Sequence, residues 1–309
     1  MSVDRSVITE WAKPLLDTGR ASELVDDLVT SGMADEVWAD PGSAGALFEL
    51  QGSSGATSRL LDAYVLQPGP QSALSAFLLP LPGTAVPPAQ VRGREIAVDG
   101  LTVGGCEDAP VVMWTDSDDV LAMDRLRVEG VPGFDPELRL LRWSGTVTLD
   151  DCAALPLAGD ILIARAARAL AHQLLGTASL ARTIATRHVL DRHQFGRPIG
   201  AFQSVRHRLA DAFIAETGAR ELLENAGEPI DAVRERLLLK AGAGRAALLA
   251  VQAAQQVCGA MGFTAEFGLH RVVRRAYVLD ALLGGSEEAE FDLAAQALAT
   301  GRVPLPVPL

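Results

Sequence analysis

Asp191-Arg192-His193-Gln194-Phe195-Gly196-Arg197-Pro198-Ile199-Gly200-Ala201-Phe202-Gln203 is the stretch whose reading decides the fold. It separates two long runs of helical character. Upstream, Asp160 to about Arg192 holds no proline and one glycine, which predicts an unusually long helix for a globular domain. Pro198 stops that run, because proline carries no N–H and restricts the residue before it. Downstream, a second helix is expected from Phe202 to about Ala226, stopped by Gly227 and Pro229, and a third from Ile230 to about Cys258. Glu266 to Leu279 and Glu287 to Ala299 complete the set. Long antiparallel helices with short links make a four-helix bundle. Gly242 and Gly244 lie inside the third helix, where each costs about 1 kcal/mol relative to alanine, so a close neighbour is expected there.

Working outward, the texture changes before Asp150. Pro68, Pro70, Pro80, Pro82, Pro87 and Pro88 exclude long helices there. Short apolar runs of strand character fall at Ser75–Leu79, Glu95–Val98, Val111–Trp114, Leu138–Leu141 and Thr146–Leu149, with Asp99-Gly100 as a turn signal. Residues 1 to about 66 read as short helices broken at Pro41-Gly42 and Gly52-Ser53-Ser54-Gly55. The expected class is α+β, multidomain and mainly α. It has a helical region over 1–66, a reduced, mostly antiparallel β domain over 67–150, and the C-terminal bundle over 151–309. The Pro-rich tail Val303–Leu309 is expected to be a loose end.

The chain has 309 residues, 49% of them hydrophobic and 21% charged, enough to build a sizeable core. Its net charge of −12 argues against a nucleic-acid partner, which demands a basic face. The charge is uneven. Arg182, Arg187, Arg192, Arg197, Arg206 and Arg208 fall within one segment that carries a single acid, Asp191. Such a segment suits an anionic small molecule better than a polyanion. Cys106, Cys152 and Cys258 are far apart and lack metal-ligand spacing, so neither a metal nor a disulfide framework is expected. Residues Met1 to Arg20 carry Asp4, Glu10 and Asp17 without an apolar run, and no apolar stretch of roughly 18 residues is evident. A cytoplasmic protein without a membrane span is the expectation.

A second stretch, Gln256-Val257-Cys258-Gly259-Ala260-Met261-Gly262-Phe263, leads on to Arg274-Arg275-Ala276. Together the two stretches resemble the acyl-CoA dehydrogenase family. Asp191–Gln203 resembles its R-x-Q-F-G-x-P-I-x-x-F-Q signature, with His207, Leu209, Ala210 and Asp211 following in register. The second resembles its Q-x-x-G-G-x-G segment, with Ala260 in place of one glycine. The resemblance covers roughly the last 150 residues well and the first 150 loosely. It implies that Arg192, Gln194, Phe195, Gln256, Gly259 and Gly262 reach the ADP half of an FAD held by a neighbouring subunit. The chemistry suits that role. A guanidinium is a planar, permanently charged fork for a pyrophosphate, amides add neutral hydrogen bonds, and glycine lets the backbone approach a ligand.

The same resemblance shows what is missing. Family enzymes desaturate the Cα–Cβ bond of an acyl-CoA, using a glutamate to remove the α-proton. At one family position for that base this chain has Leu283, and at the other Ala166. Asp160 reads as a helix cap, and Glu287 and Glu288 as the solvated first turn of the last helix. The T-E-P-x-x-G-S-D segment that binds the flavin ring is absent too. This pattern resembles the smaller subunit of actinobacterial α2β2 acyl-CoA dehydrogenases. The resemblance implies a full-length homologue as partner, an acyl-CoA substrate (in that group, steroid-derived) and activity only in the complex. The alternative is a non-catalytic oligomerisation or scaffold protein with the same fold.

Overall fold

Asp40 and Pro41 show how the N-terminal helices are cut. In the computed structural model, which describes residues 5–67, 75–124, 126–225 and 232–301, the Asp40 carboxylate accepts from the Ser43 N–H at 3.1 Å. It thereby caps a helix whose first residue is Pro41, where a missing N–H costs nothing. The helices of this region are α1 (Arg5–Asp17), α2 (Leu24–Thr30), α3 (Ala34–Ala39), α4 (Pro41–Ser54) and α5 (Leu60–Val65). Gly52-Ser53-Ser54 is therefore the last turn of α4 rather than a loop, and Gly55, at φ 70°, ends it.

Eight strands follow: β1 (Ala76–Phe77), β2 (Ala89–Arg92), β3 (Glu95–Thr102), β4 (Val111–Trp114), β5 (Val120–Met123), β6 (Arg127–Gly130), β7 (Leu141–Thr148) and β8 (Ala153–Leu155). They form two four-stranded sheets, ordered β1-β4-β5-β8 and β2-β3-β7-β6. Every pairing is antiparallel except β1 with β4. Between them lies a core of Leu78, Ile96, Val98, Val111, Met113, Leu121 and Trp143. The Trp143 indole N–H donates to Thr102 Oγ1 at 3.0 Å, so the buried ring leaves no orphan donor.

Asp99-Gly100 is not a turn. Both residues lie inside β3, opposite Ser144 and Trp143 of β7. Asp99 accepts two 2.8 Å hydrogen bonds from the Arg142 guanidinium, a pairing that keeps it in the strand. The hairpin turn is Gly93-Arg94, with Gly93 at φ 68°. The Leu138–Leu141 run is likewise split. Pro136–Leu138 forms a 3-10 turn, and the strand begins at Leu141 and runs on through Thr148.

The bundle comprises α6 (Gly159–Asp191), α7 (Gln203–Asn225), α8 (Ala232–Cys258), α9 (Leu269–Ala281) and α10 (Ser286–Thr300). Arg168 near the start of α6 bonds the Leu223 carbonyl near the end of α7 and pairs with Glu235 near the start of α8. So α7 runs against α6, whereas α8 runs alongside α6 in the same direction. Successive helices are thus antiparallel, as expected, and the ends of α6 and α8 lie at one end of the bundle. The stops expected at Gly227 and Pro229, together with Pro68, Pro70 and the tail Val303–Leu309, lie outside the described residues.

Two helix contacts demand glycine. A Cβ on Gly176 of α6 would stand 2.1 Å from the Glu49 carbonyl oxygen of α4, and one on Gly52 would stand 2.2 Å from the Gln173 carbonyl oxygen. The α4–α6 crossing is therefore backbone to backbone. Gly244 of α8 similarly makes room for the Asp280 carboxylate, the close neighbour that its position in a helix implied. A stretch of α8 and the turn after it, Val233–Phe263, has a window apolar enough to cross a membrane, contrary to the reading of the sequence. That window is 67% buried inside the protein and forms the core of the bundle.

Candidate functional site

Arg192 directly follows the last residue of α6. Its N–H still donates to the His188 carbonyl at 2.9 Å, while its own backbone leaves the helix at φ −80°, ψ 116°. Its carbonyl accepts from the Ile199 N–H at 2.8 Å, which closes a loop around a tiny ribbon of β9 (His193–Gln194) and β10 (Arg197–Pro198). The ribbon turns through Phe195 and Gly196, at φ 54° and 77°. Positive φ at both central residues is the geometry of a type I′ turn. Glycine takes it freely, but phenylalanine does so at a cost of roughly 1–2 kcal/mol.

That cost holds an aromatic ring out in solvent. Phe195 is 90% exposed. Its ring stands perpendicular to that of Phe202, at 6.1 Å between centroids and 88° between planes. The guanidinium of Arg197 lies over the Phe202 ring at 4.2 Å. Phe202 belongs to the link that follows, where the 3-10 turn Ile199–Ala201 leads into α7.

Arg192 and Gln194 are both exposed, and neither side chain makes a hydrogen bond or ion pair with another described residue. The Arg192 charge is felt by His188, whose imidazole is held below its ordinary range by burial first and by that guanidinium second. The His188 ring in turn meets Phe267, just before α9, edge-on at 5.3 Å, which confirms that the two ligand-like stretches share one end of the bundle.

On the α8 side, Gln256 is exposed in the last helical turn and Gly259 sits at φ 55° where the helix tightens into the 3-10 turn Gly259–Phe263. Gly262 lies differently. It is buried, and a Cβ there would stand 3.1 Å from that of Cys258 and 3.2 Å from Leu269, so it packs the turn rather than presenting backbone to solvent. The chain's reading missed Met261 and Phe263, which are 50% and 69% exposed on this same turn. The only signal in the sequence was two large apolar residues among glycines. The surface thus combines an unneutralised guanidinium, two amides and three exposed apolar side chains. It can hold an anion next to a flat apolar group.

The two positions where a base was sought are both apolar and fully buried. Ala166 lies on α6, and Leu283 lies between α9 and α10 at φ 61°. The Leu283 carbonyl accepts from Arg236 at 3.3 Å. Asp160 sits in the first turn of α6, one residue inside the helix, and accepts from the Ile161 N–H at 2.7 Å. Glu287 and Glu288 are exposed on the first turn of α10. The buried carboxylates lie elsewhere and are engaged. Asp135 pairs with Arg275, Glu216 with Arg182 and Arg220, and Asp280 accepts from the Ser286 N–H. Asp62, pushed up to about 6 by burial, accepts from the Phe77 N–H at 3.0 Å. Among the described residues no group of three His, Cys, Asp or Glu side chains could hold a metal.

The architecture is a long-helix bundle set against a two-sheet β domain, with an exposed guanidinium at one end. Residues 162–299 match the family model described as "Acyl-CoA dehydrogenase, C-terminal domain", so this segment of the chain is similar to that family's C-terminal domain. It is 30% identical to the acyl-CoA dehydrogenase IpdE2 of Mycobacterium tuberculosis over 58% of this chain, spanning about half (55%) of that relative's length. With IpdE2 of Mycolicibacterium smegmatis it shares 25% identity, over 93% of this chain and 97% of the relative. Among solved structures it resembles the ChsE4-ChsE5 complex from Mycobacterium tuberculosis, with a TM-score of 0.70 over 96% of this chain and 95% of that one. At 19% identity that likeness speaks to the fold alone.

Proposed function

We propose that this chain is a subunit of an FAD-dependent acyl-CoA dehydrogenase and works in a complex, α2β2, with a full-length homologue. One observation carries the reading. The bundle end keeps an exposed Arg192 with no partner among the described residues, beside Gln194, Phe195 and Gln256, while both base positions are apolar and buried. The donor set fits the ADP half of FAD. Arg192 offers two parallel N–H bonds to a pyrophosphate, Gln194 and Gln256 supply amide donors, and Gly259 leaves its backbone uncovered. Bound FAD would supply the hydride acceptor for Cα–Cβ desaturation. The carboxylate base and the contacts to the flavin ring come from the partner, because this chain presents Leu283 and Ala166 there. The substrate is an acyl-CoA, with a steroid-derived acyl group as the narrower expectation, and the setting is the cytoplasm.

The test is to purify the chain alone and co-expressed with a full-length homologue, recording mass, visible spectrum and bleaching by acyl-CoA. The expected result is a colourless lone chain and a complex with stoichiometric flavin that bleaches. A lone chain that is yellow and bleaches by itself overturns the proposal.

A further inference from the structure

Three side chains of the bundle end lie in a stack whose members the flavin contacts alone do not explain. Phe202 is the fixed member. Its N–H donates to the Ile199 carbonyl at 3.1 Å, and its carbonyl accepts from the Val205 and Arg206 N–H groups at 3.2 Å as α7 begins. The turn before it is pressed on α6, where a Cβ on Gly200 would stand 3.1 Å from the Val189 carbonyl oxygen. The ring is therefore a shelf attached to two long helices. Arg197 lies over that shelf at 4.2 Å, and Phe195 stands perpendicular to it at 6.1 Å. Arg197 and Gln194 face each other across the β9–β10 ribbon, so whatever fixes Arg197 also fixes the segment carrying Gln194 and Phe195.

The ribbon needs such a fastening. Two residues pair on each side, far too few for a hairpin to hold itself in water. Its turn also carries an unfavourable φ at Phe195, which the chain would relax if nothing opposed it. A guanidinium within about 6 Å of an aromatic centroid is attracted to the ring face, and a contact already made needs no rearrangement when a ligand arrives.

We infer that the Arg197–Phe202 stack is a positioning device: it pre-sets Phe195 and Gln194 in the geometry that receives a partner-held dinucleotide. Neither Arg197 nor Phe202 need touch the ligand. This inference rests on the function proposed above. Its benefit is entropic, since the ribbon is ordered before binding and the complex does not pay to order it.

The experiment measures flavin dissociation from the co-expressed complex, with assembly checked by mass for every variant. Arg197→Met and Phe202→Leu each accelerate dissociation about five- to tenfold, and Arg197→Lys, which keeps a cation over the ring, restores most of the loss. The decisive arm is a cycle with Phe195→Ala. Once the Phe195 ring is gone, Arg197→Met has a clearly smaller effect, because only the part that passes through Gln194 remains. If Arg197→Met costs the same factor in both backgrounds, Arg197 acts independently of Phe195 and the inference falls. Arg192→Ala runs in parallel. If it speeds flavin loss while Arg197→Met does not, the inference fails and the proposed site stands. If Arg192→Ala has no effect, the site reading falls, and this inference with it.

Discussion

Phe195 and Lys240 each accept a local cost, and each cost can be measured. Phe195 occupies the first central position of a type I′ turn, for which Asn before Gly is the favoured pair. Phe195→Asn is expected to stabilise the lone chain by up to about 1 kcal/mol while weakening flavin retention in the complex. A denaturation midpoint that falls, or a complex that keeps flavin as well as before, contradicts this. Lys240 is fully buried, and its Nζ donates to the Leu279 and Asp280 carbonyls at 3.0 and 2.9 Å. Burial pushes its pKa down to about 8, against about 10.4 in an unfolded chain. Between those values the unfolded chain binds more protons, so stability rises with pH from about 8 to about 10, by on the order of 2–3 kcal/mol at most. Lys240→Met should lose that rise. Urea titrations at pH 8 and 10 on both proteins decide it, and equal slopes in the two would show that Lys240 does not titrate in this range.

At the scale of elements, α9 joins the bundle to the β domain through one loop. Arg275 is buried, pairs with the buried Asp135, and donates to the Ala56 carbonyl at 2.9 Å. Arg271 pairs with Glu137, and Arg274 lies over Phe134 at 5.7 Å. Arg275→Ala leaves a buried carboxylate unpaired and is expected to cost about 3–5 kcal/mol. Adding Asp135→Leu should recover part of it, and chemical denaturation of the two variants checks both points. The elements also show where the sequence was informative. The long helices were legible because proline, glycine and apolar spacing are local signals, and the Arg192–Phe195 stretch could be read residue by residue. Asp99-Gly100 was misread because its fate depends on Arg142, distant along the chain, and the buried Arg275–Asp135 pair left no local mark at all. The Phe195–Phe202–Arg197 stack was hidden for another reason. Nothing in the spacing says which way a ribbon folds back on the helix after it.

At the scale of the whole molecule, an acidic chain concentrates six arginines between Arg182 and Arg208, with Arg192 and Arg197 exposed at one end of the bundle. Opposite charges meeting at that end are screened as salt is raised. The flavin-loaded complex should therefore lose flavin faster as ionic strength increases, while the lone chain's unfolding midpoint moves little. Stopped-flow flavin release at low and high salt provides the measurement, and salt-independent release would mean that the arginines do not contact the phosphates. The parallel course of α6 and α8 makes this polarity possible, since it carries both ligand-like segments to the same end without a long connection.

The backbone contact between α4 and α6 has a consequence for what counts as a domain. The recognisable family segment opens at residue 162, after α4. Yet α6 meets α4 through Gly52 and Gly176 with no side chain between them, and the face so covered includes His172, against Gly45 of α4, and Thr177, both buried. The boundary that inheritance draws is thus not one that folding respects. Cut there, the bundle would show water a seam of bare helix backbone around Gly176, ready to close on another copy of itself. A fragment of residues 159–301 should accordingly aggregate or dimerise, whereas one beginning at residue 40 should regain the seam's natural cover.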